Sequence, residues 1–329
     1  MMFTVNKSML QLYKDYTYQR ADIYFQKKIL NKPRPWAKPD SVLNTHRFTN
    51  IRRELDKQSQ YLIDNVINNN DLSETNKLLN CALFRCINRD LSMKYFPHWP
   101  IDFDNFDKYD LNDFIKYQDD ICESGQYIPK HGPAYITTHI RKQAYQMFPE
   151  YRGYQFAIVL FINTYKEQLI NAYNEKNIKN TFDILLKIPS FGRFQSYQVW
   201  LDWTYMSEYE MTGDEYTRSG PGCDDGINWM IFGKDIIIKK DNKLRIDPSK
   251  KLTNIYKDKT YDEFVYWFTK NLPKLMESHN IEWNPAQFQH FLPKEKQTWS
   301  FAEVENSFCE FSKLNKLINN VPMHIRRYK

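Results

Sequence analysis

Nine glycines serve a chain of 329 residues that carries 8 Trp, 23 Tyr and 22 Phe. Aromatic rings fill a core readily, whereas glycine lets a backbone turn left-handed or come close to a neighbour. Tight geometry is therefore rare in this chain, and a local cluster of glycines marks a place that needs it. Gly220, Gly222 and Gly226 form such a cluster, within Arg218-Ser-Gly-Pro-Gly-Cys-Asp-Asp-Gly226. Successive backbone N–H groups in a turn of this kind can form a concave anion nest beside Arg218. The other reading is a tight turn at a corner of the fold.

With 42% apolar and 26% charged residues the chain is globular, and its length suits one large domain or two smaller ones. The uncharged run Gly153 to Tyr165 falls short of the roughly 20 residues that span a bilayer. Lys7, Lys14 and Asp15 interrupt the N-terminal stretch, which lacks the apolar region of a secretory signal. The expectation is an intracellular protein, cytoplasmic or nuclear or encoded by a virus, with no membrane partner. Five scattered cysteines without a C-x-x-C pair, and seven histidines without H-x-x-x-H, argue against disulfides and metal. Neither G-x-x-x-x-G-K-[ST], G-x-G-x-x-G nor G-x-S-x-G occurs, so no nucleotide cofactor is expected. A net charge of +6 is compatible with a polyanionic partner without demanding one.

Along the chain, residues 1–40 look like an N-terminal arm: a polar, aromatic helix to about Leu30, then Pro33, Pro35 and Pro39 imposing extended backbone as a linker or a surface strap. Residues 41–329 form the main domain. Apolar spacing predicts helices over Thr49 to Ile67 and Leu78 to Asn88, a loop and short helix over Asp102 to Asp120, and one buried helix over Gln155 to Tyr173. A helix from Phe182 is ended by Pro189, and Ile188-Pro-Ser-Phe-Gly192 joins it to a helix through Phe194, Tyr197, Leu201 and Tyr205. Residues 232–247 predict a β-hairpin insertion, and the chain is helical again from Tyr261.

Three polar constellations stand out besides the glycines. Gln195, Gln198 and Asp202 make a stripe at i, i+3 and i+7, where Trp200, Trp203 and Tyr205 would partly desolvate the carboxylate and raise its pKa toward that of a general base; a solvated helix face is the alternative. Arg47, Asn50 and Glu54 flank the Ile51/Leu55 stripe, either as a phosphate-binding fork or as a surface Arg–Glu network. The helix opened by Ser300 and Glu303, a capping box, buries Phe301, Val304, Phe308 and Phe311, and turns Glu310 and Lys313 toward solvent or a cleft.

The order of these elements resembles the alpha-glutamyl/putrescinyl thymine pyrophosphorylases, and the related helical domain of hydroxymethyluracil DNA kinases. The matching segments are Arg47-Phe-Thr-Asn-Ile-Arg-Arg53-Glu-Leu-Asp56, Phe84-Arg-Cys-Ile-Asn88-Arg89, Ile188-Pro-Ser-Phe-Gly192-Arg-Phe-Gln-Ser-Tyr-Gln198 with Asp202, Gly220-Pro-Gly222 with Gly226, and Phe308-Cys-Glu310-Phe-Ser-Lys313. The resemblance implies a mainly α fold with a helical, DNA-glycosylase-like helix-hairpin-helix core. Two positions depart from the pattern: the Pro189-to-Gly192 turn is poorer in glycine than is usual, and Ser312 stands where an acidic residue is expected.

By the same resemblance the chain is an enzyme that transfers an amine to a diphosphorylated 5-hydroxymethyluracil in DNA, with release of pyrophosphate. Its partners would be DNA containing a modified pyrimidine and a small amine or amino-acid donor. Asp202 and Glu310 are the implied catalytic bases. Arg47, Arg53, Arg218, Gly220, Gly222 and Gly226 would hold the diphosphate, Asn50, Asn88 and Gln198 would read the base, and Arg89, Gly192, Arg193 and Lys313 would touch DNA. Aromatic residues near Asp202 would stack on a flipped base. The competing readings are a non-catalytic nucleic-acid-binding module and a glycosylase or lyase acting on a modified base.

Overall fold

A computed structural model describes residues 3–38, 40–123, 138–292 and 294–323. Pro39, the side chain of Cys122 and parts of the expected 41–329 domain lie outside these. The described residues are mainly helical, with one two-stranded antiparallel sheet. The chain divides into two compact units, one made of residues 1–56 and 216–329 and the other of residues 57–215.

In the first unit, Asn6 caps the helix Lys7–Tyr24 by accepting from the backbone N–H of Ser8 and Met9. Met9, Leu10, Tyr13, Tyr16 and Ile23 line one side of this helix and are buried in the unit's core. Tyr13 meets Phe268 and Phe311 edge-on, with ring centroids 5.4 and 5.5 Å apart, and its hydroxyl pairs with Ser307. Burying such side chains contributes roughly 1.5–3 kcal/mol each. The segment anticipated as an N-terminal arm is thus part of this core, and the boundary between units falls after Asp56 instead of near residue 40.

The helices Pro221–Phe232 and Phe301–Ile318 are packed closely along one another. A Cβ added at Gly222 would lie 2.4 Å from Cys309 Sγ, and one at Gly226 would lie 2.1 Å from the Phe308 carbonyl oxygen. Two of the clustered glycines therefore serve close helix approach. The capping box of Ser300 and Glu303 is formed, and Thr260 with Glu263 makes a second one for the helix Tyr261–Ser278. Strands Ile237–Lys240 and Lys243–Ile246 pair in the register Ile237↔Ile246 to Lys240↔Lys243. Asp241 and Asn242 both have positive φ, the requirement of a two-residue hairpin turn that follows strand twist.

In the second unit the helix Glu74–Ile87 is buried almost all round, from Asn76 to Ile87, so it is a central helix. Asn88 ends it in the left-handed conformation, φ 51°. The apolar stretch expected as one helix is two, Phe156–Thr164 and Lys166–Asn174; neither proline nor glycine marks the break at Tyr165. The helices Ile178–Leu185 and Arg193–Trp203 flank the Ile188-to-Gly192 turn as expected. Its left-handed residue is Ser190, φ 66°, whereas Gly192 is extended and a Cβ there would meet nothing within 4 Å.

These two glycine environments make opposite predictions. Gly226→Ala is expected to destabilise the first unit by about 1–3 kcal/mol or more through overpacking, whereas Gly192→Ala leaves the melting temperature within a degree or two. Thermal unfolding of both variants against the parent chain tests this.

Candidate functional site

The implied site residues fall into two sets. Arg47, Asn50, Arg53, Arg218, Gly220, Gly222, Gly226, Glu310 and Lys313 belong to the first unit, and Asn88, Arg89, Gly192, Arg193, Gln198 and Asp202 to the second.

The first set centres on residues 48–56, most of which fall in the helix expected over Thr49 to Ile67. Only Arg53–Leu55 makes a single 3₁₀ turn before the helix Lys57–Leu62. Tertiary partners take the backbone groups that a helix would have used. Arg20, buried on the Lys7–Tyr24 helix, donates to the carbonyls of Phe48 (3.2 Å) and Thr49 (3.0 and 3.1 Å) and to the Asn50 side chain (3.1 Å). Asn306 donates to the carbonyls of Asn50 (2.7 Å) and Ile51 (3.1 Å). The Asn50 amide donates to Asp56 Oδ1 at 2.8 Å and its side chain to the Leu55 carbonyl, so Asn50 holds the loop together.

Glu310 accepts from the Thr49 amide at 3.0 Å and is paired with Lys313. It is only 2% exposed, so it is not the solvated residue that helical periodicity suggested. Arg53 is buried nearby and its charge acts on Asp56, Glu305 and Cys309. Burial pushes Asp56 up to about 7, against the Asn50 amide and the Arg53 and Arg20 charges, with Glu310 adding to the rise. Burial likewise raises Glu305 to about 7, with Arg53 opposing and Asp224 and Asp262 reinforcing. Desolvation lifts the Cys309 thiol to about 12, so it stays protonated near neutrality and is not an activated nucleophile.

The glycine loop at the head of the Pro221–Phe232 helix already faces carboxylates of its own chain. The Gly220 amide donates to Glu305, the Ser219 amide donates to Asp262 at 2.7 Å, and Arg218 is paired with Asp262. Arg218 also lies over the Tyr216 ring, 5.0 Å from its centroid. The anion preference inferred from the sequence is thus met internally.

The second set is organised by a buried ion pair. Arg85 grips both oxygens of Asp202, the Nη2–Oδ1 contact being 2.6 Å, and also donates to Asn88 Oδ1 (3.0 Å) and Ser59 (3.1 Å). Asp202 is fully buried and Arg85 nearly so. Burial works against the Arg85 charge, but Asp202 outweighs it and the guanidinium holds its proton more tightly than usual. Trp200 and Trp203 beside Asp202 are fully buried, so these rings are core and not an open platform for a base. Gln198 is buried as well, whereas Gly192 and Arg193 are exposed at the helix–helix turn.

Sequence reasoning missed Arg20, Asp56, Glu305 and Arg85. Asp56 and Arg85 lie inside segments already singled out, and Glu305 is four residues before Cys309 on an aromatic-rich helix, a spacing that puts them on one side. Among the described residues no group of three His, Cys, Asp or Glu could hold a metal ion, and no helix is long and apolar enough to cross a membrane.

Removing one partner of the buried pair, as in Arg85→Met, is expected to cost about 3–5 kcal/mol, and adding Asp202→Leu recovers much of it; denaturant unfolding of the single and double variants measures both. Asp56 and Glu305 keep their protons in the folded chain up to about pH 7, while their unperturbed values are 3.8 and 4.5. Unfolding therefore releases protons in that window, and stability falls as pH rises through it. The urea midpoint of the parent chain should drop between pH 5 and 7.5 by more than that of Asp56→Asn/Glu305→Gln.

Residues 7–321 match the protein family described as the helical domain of 5-hmdU DNA kinase. A protein of Bacillus phage SP10 named 5-hmdU DNA kinase is 28% identical over 233 residues, which cover 65% of this chain and 34% of that protein. The chain thus matches about a third of the length of this curated relative. No solved structure gives a significant match. With the family match running through both units, from the first helix to the end of the last, this chain belongs to the family of 5-hmdU DNA kinase helical domains.

Proposed function

We propose that this chain acts on DNA carrying 5-hydroxymethyluracil, as the transferase for a base already activated as its diphosphate ester. The observation that carries the reading is the family match across residues 7–321, with all five resemblance segments inside it. In the reaction, the amine nitrogen attacks the methylene carbon on the pyrimidine ring. The carbon–oxygen bond to the diphosphate breaks, pyrophosphate leaves, and the amine gives up a proton to a base.

A base for that proton should titrate near the working pH. Asp56 and Glu305 meet this condition. Of the two carboxylates implied by the resemblance, Asp202 is engaged by Arg85, and Glu310 by Lys313 and the Thr49 amide. Lys313, at 35% side-chain exposure, is the cation of this cluster open to a leaving diphosphate. The exposed Gly192–Arg193 turn, read as the hairpin of a helix-hairpin-helix core, supplies a contact to the DNA backbone. The internal ion pairs of Asp202 and Glu310 favour a second reading, a non-catalytic module that holds modified DNA for another domain.

Incubating the protein with DNA that bears the diphosphate ester and a panel of amines, and then measuring nucleosides by mass spectrometry, separates these readings. The transferase reading expects an amine-bearing nucleoside and one pyrophosphate for each base converted. Asp56→Asn should lower the rate about 10²–10⁴-fold if Asp56 is the base. Pyrophosphate release without amine incorporation would leave a lyase, and salt-sensitive binding with no base chemistry would leave the module.

A further inference from the structure

Between Asp22 and Asp40 the sequence contains no acidic residue but five cations: Lys27, Lys28, Lys32, Arg34 and Lys38. The first two lie on the π-helical turn Phe25–Ile29 that extends the first helix, and the others lie on the strap that follows it. All but the half-buried Lys27 are exposed.

The strap is held in place from inside the first unit. Asn44 accepts from the amides of Trp36 (3.2 Å) and Ala37 (2.9 Å) and donates to the carbonyls of Ala37 (2.8 Å) and Lys38 (2.6 Å). Trp36 donates its indole N–H to the Lys32 carbonyl at 2.7 Å, and its ring packs against the core. Two cations share that ring: Lys27 Nζ is 5.0 Å and Arg34 Cζ 5.7 Å from its centroid. A sixth cation, the exposed Arg47, adjoins Phe48, whose carbonyl is held by Arg20 of the same helix. Burial and the charges of Lys28, Arg20, Arg47 and Arg34 all lower the Lys27 pKa, so these cations lie close enough to repel one another.

A fixed surface that gathers like charges attracts a polyanion, whose binding releases counterions. We propose that the strap from Lys27 to Lys38, together with Arg47, is a docking surface for the phosphate backbone of DNA. Such docking is independent of base identity. The inference rests on the reading that this chain acts on DNA. Trp36 favours DNA over a lipid surface: its N–H is already used and its ring is flanked by two cations, so it is not available to anchor in a membrane. Ile29 and Leu30 are exposed on the same turn, and a membrane is therefore the alternative to be tested.

The experiment measures binding of a fluorescein-labelled unmodified duplex by anisotropy across a salt series, for the parent chain, for Lys28→Ala/Lys32→Ala/Arg34→Ala, and for Lys239→Ala/Lys240→Ala/Lys243→Ala. The last variant makes the same charge change on the β-hairpin. The strap variant should bind at least about tenfold more weakly at low salt, with a slope of log K against log salt shallower by about two to three, while the hairpin variant changes the slope by less than one. Thermal melts equal to the parent's confirm that the variants are folded. A strap variant that binds like the parent, or losses equal in both variants, overturns the docking surface and leaves the functional reading standing. A parent chain that binds no duplex at any salt overturns both. Strap-dependent binding to phosphatidylserine vesicles with strap-independent binding to DNA would assign the surface to a membrane instead.

Discussion

The close approach of the Pro221–Phe232 and Phe301–Ile318 helices governs much of the first unit. With no side chain at Gly222 and Gly226, the second helix can present Phe308 and Cys309 directly to the first. That approach carries Glu305 to the Gly220 amide, and it buries Tyr13, Phe308 and Phe311 in one aromatic core. The polar cluster around residues 48–56 is assembled on the same helix, since Asn306 and Glu310 hold the loop from that side while Arg20 holds it from the other. The spacing of two backbones thus sets where several buried charges lie.

Desolvation then decides what those charges do. Asp202 and Glu310 each have a cation in contact, so burial leaves them in ion pairs. Asp56 and Glu305 have Arg53 near them but also other carboxylates, and for them burial prevails. Acids whose protonation changes near neutrality are suited to proton transfer, and Asp56 and Glu305 are of that kind.

Much of the local structure was legible in the sequence. The capping box at Ser300, the helix Glu74–Ile87, the Ile188-to-Gly192 turn and the β-hairpin all follow from short-range patterns. Residues 49–56 were not legible, because their apolar spacing fits a helix and only Arg20, Asn306 and Glu310, distant in sequence, draw their backbone groups away from one. The first helix shows the same limit: its polar composition suggests an arm, but Leu10, Tyr13 and Tyr16 are buried together in the core.

The sequence by itself determined the mainly helical class, the order of the five segments that carry the family resemblance, and the concentration of scarce glycine at residues 220–226. These are properties of neighbouring residues and of periodicity, which act within a few turns of chain. Only the tertiary structure decided that Gly222 and Gly226 serve helix contact, that Asp202 and Glu310 are held in ion pairs, and that Asp56 and Glu305 keep their protons to near neutrality. The physical reason is that burial and the pairing of charges depend on residues up to some 260 positions apart, as in the contact of Thr49 with Glu310.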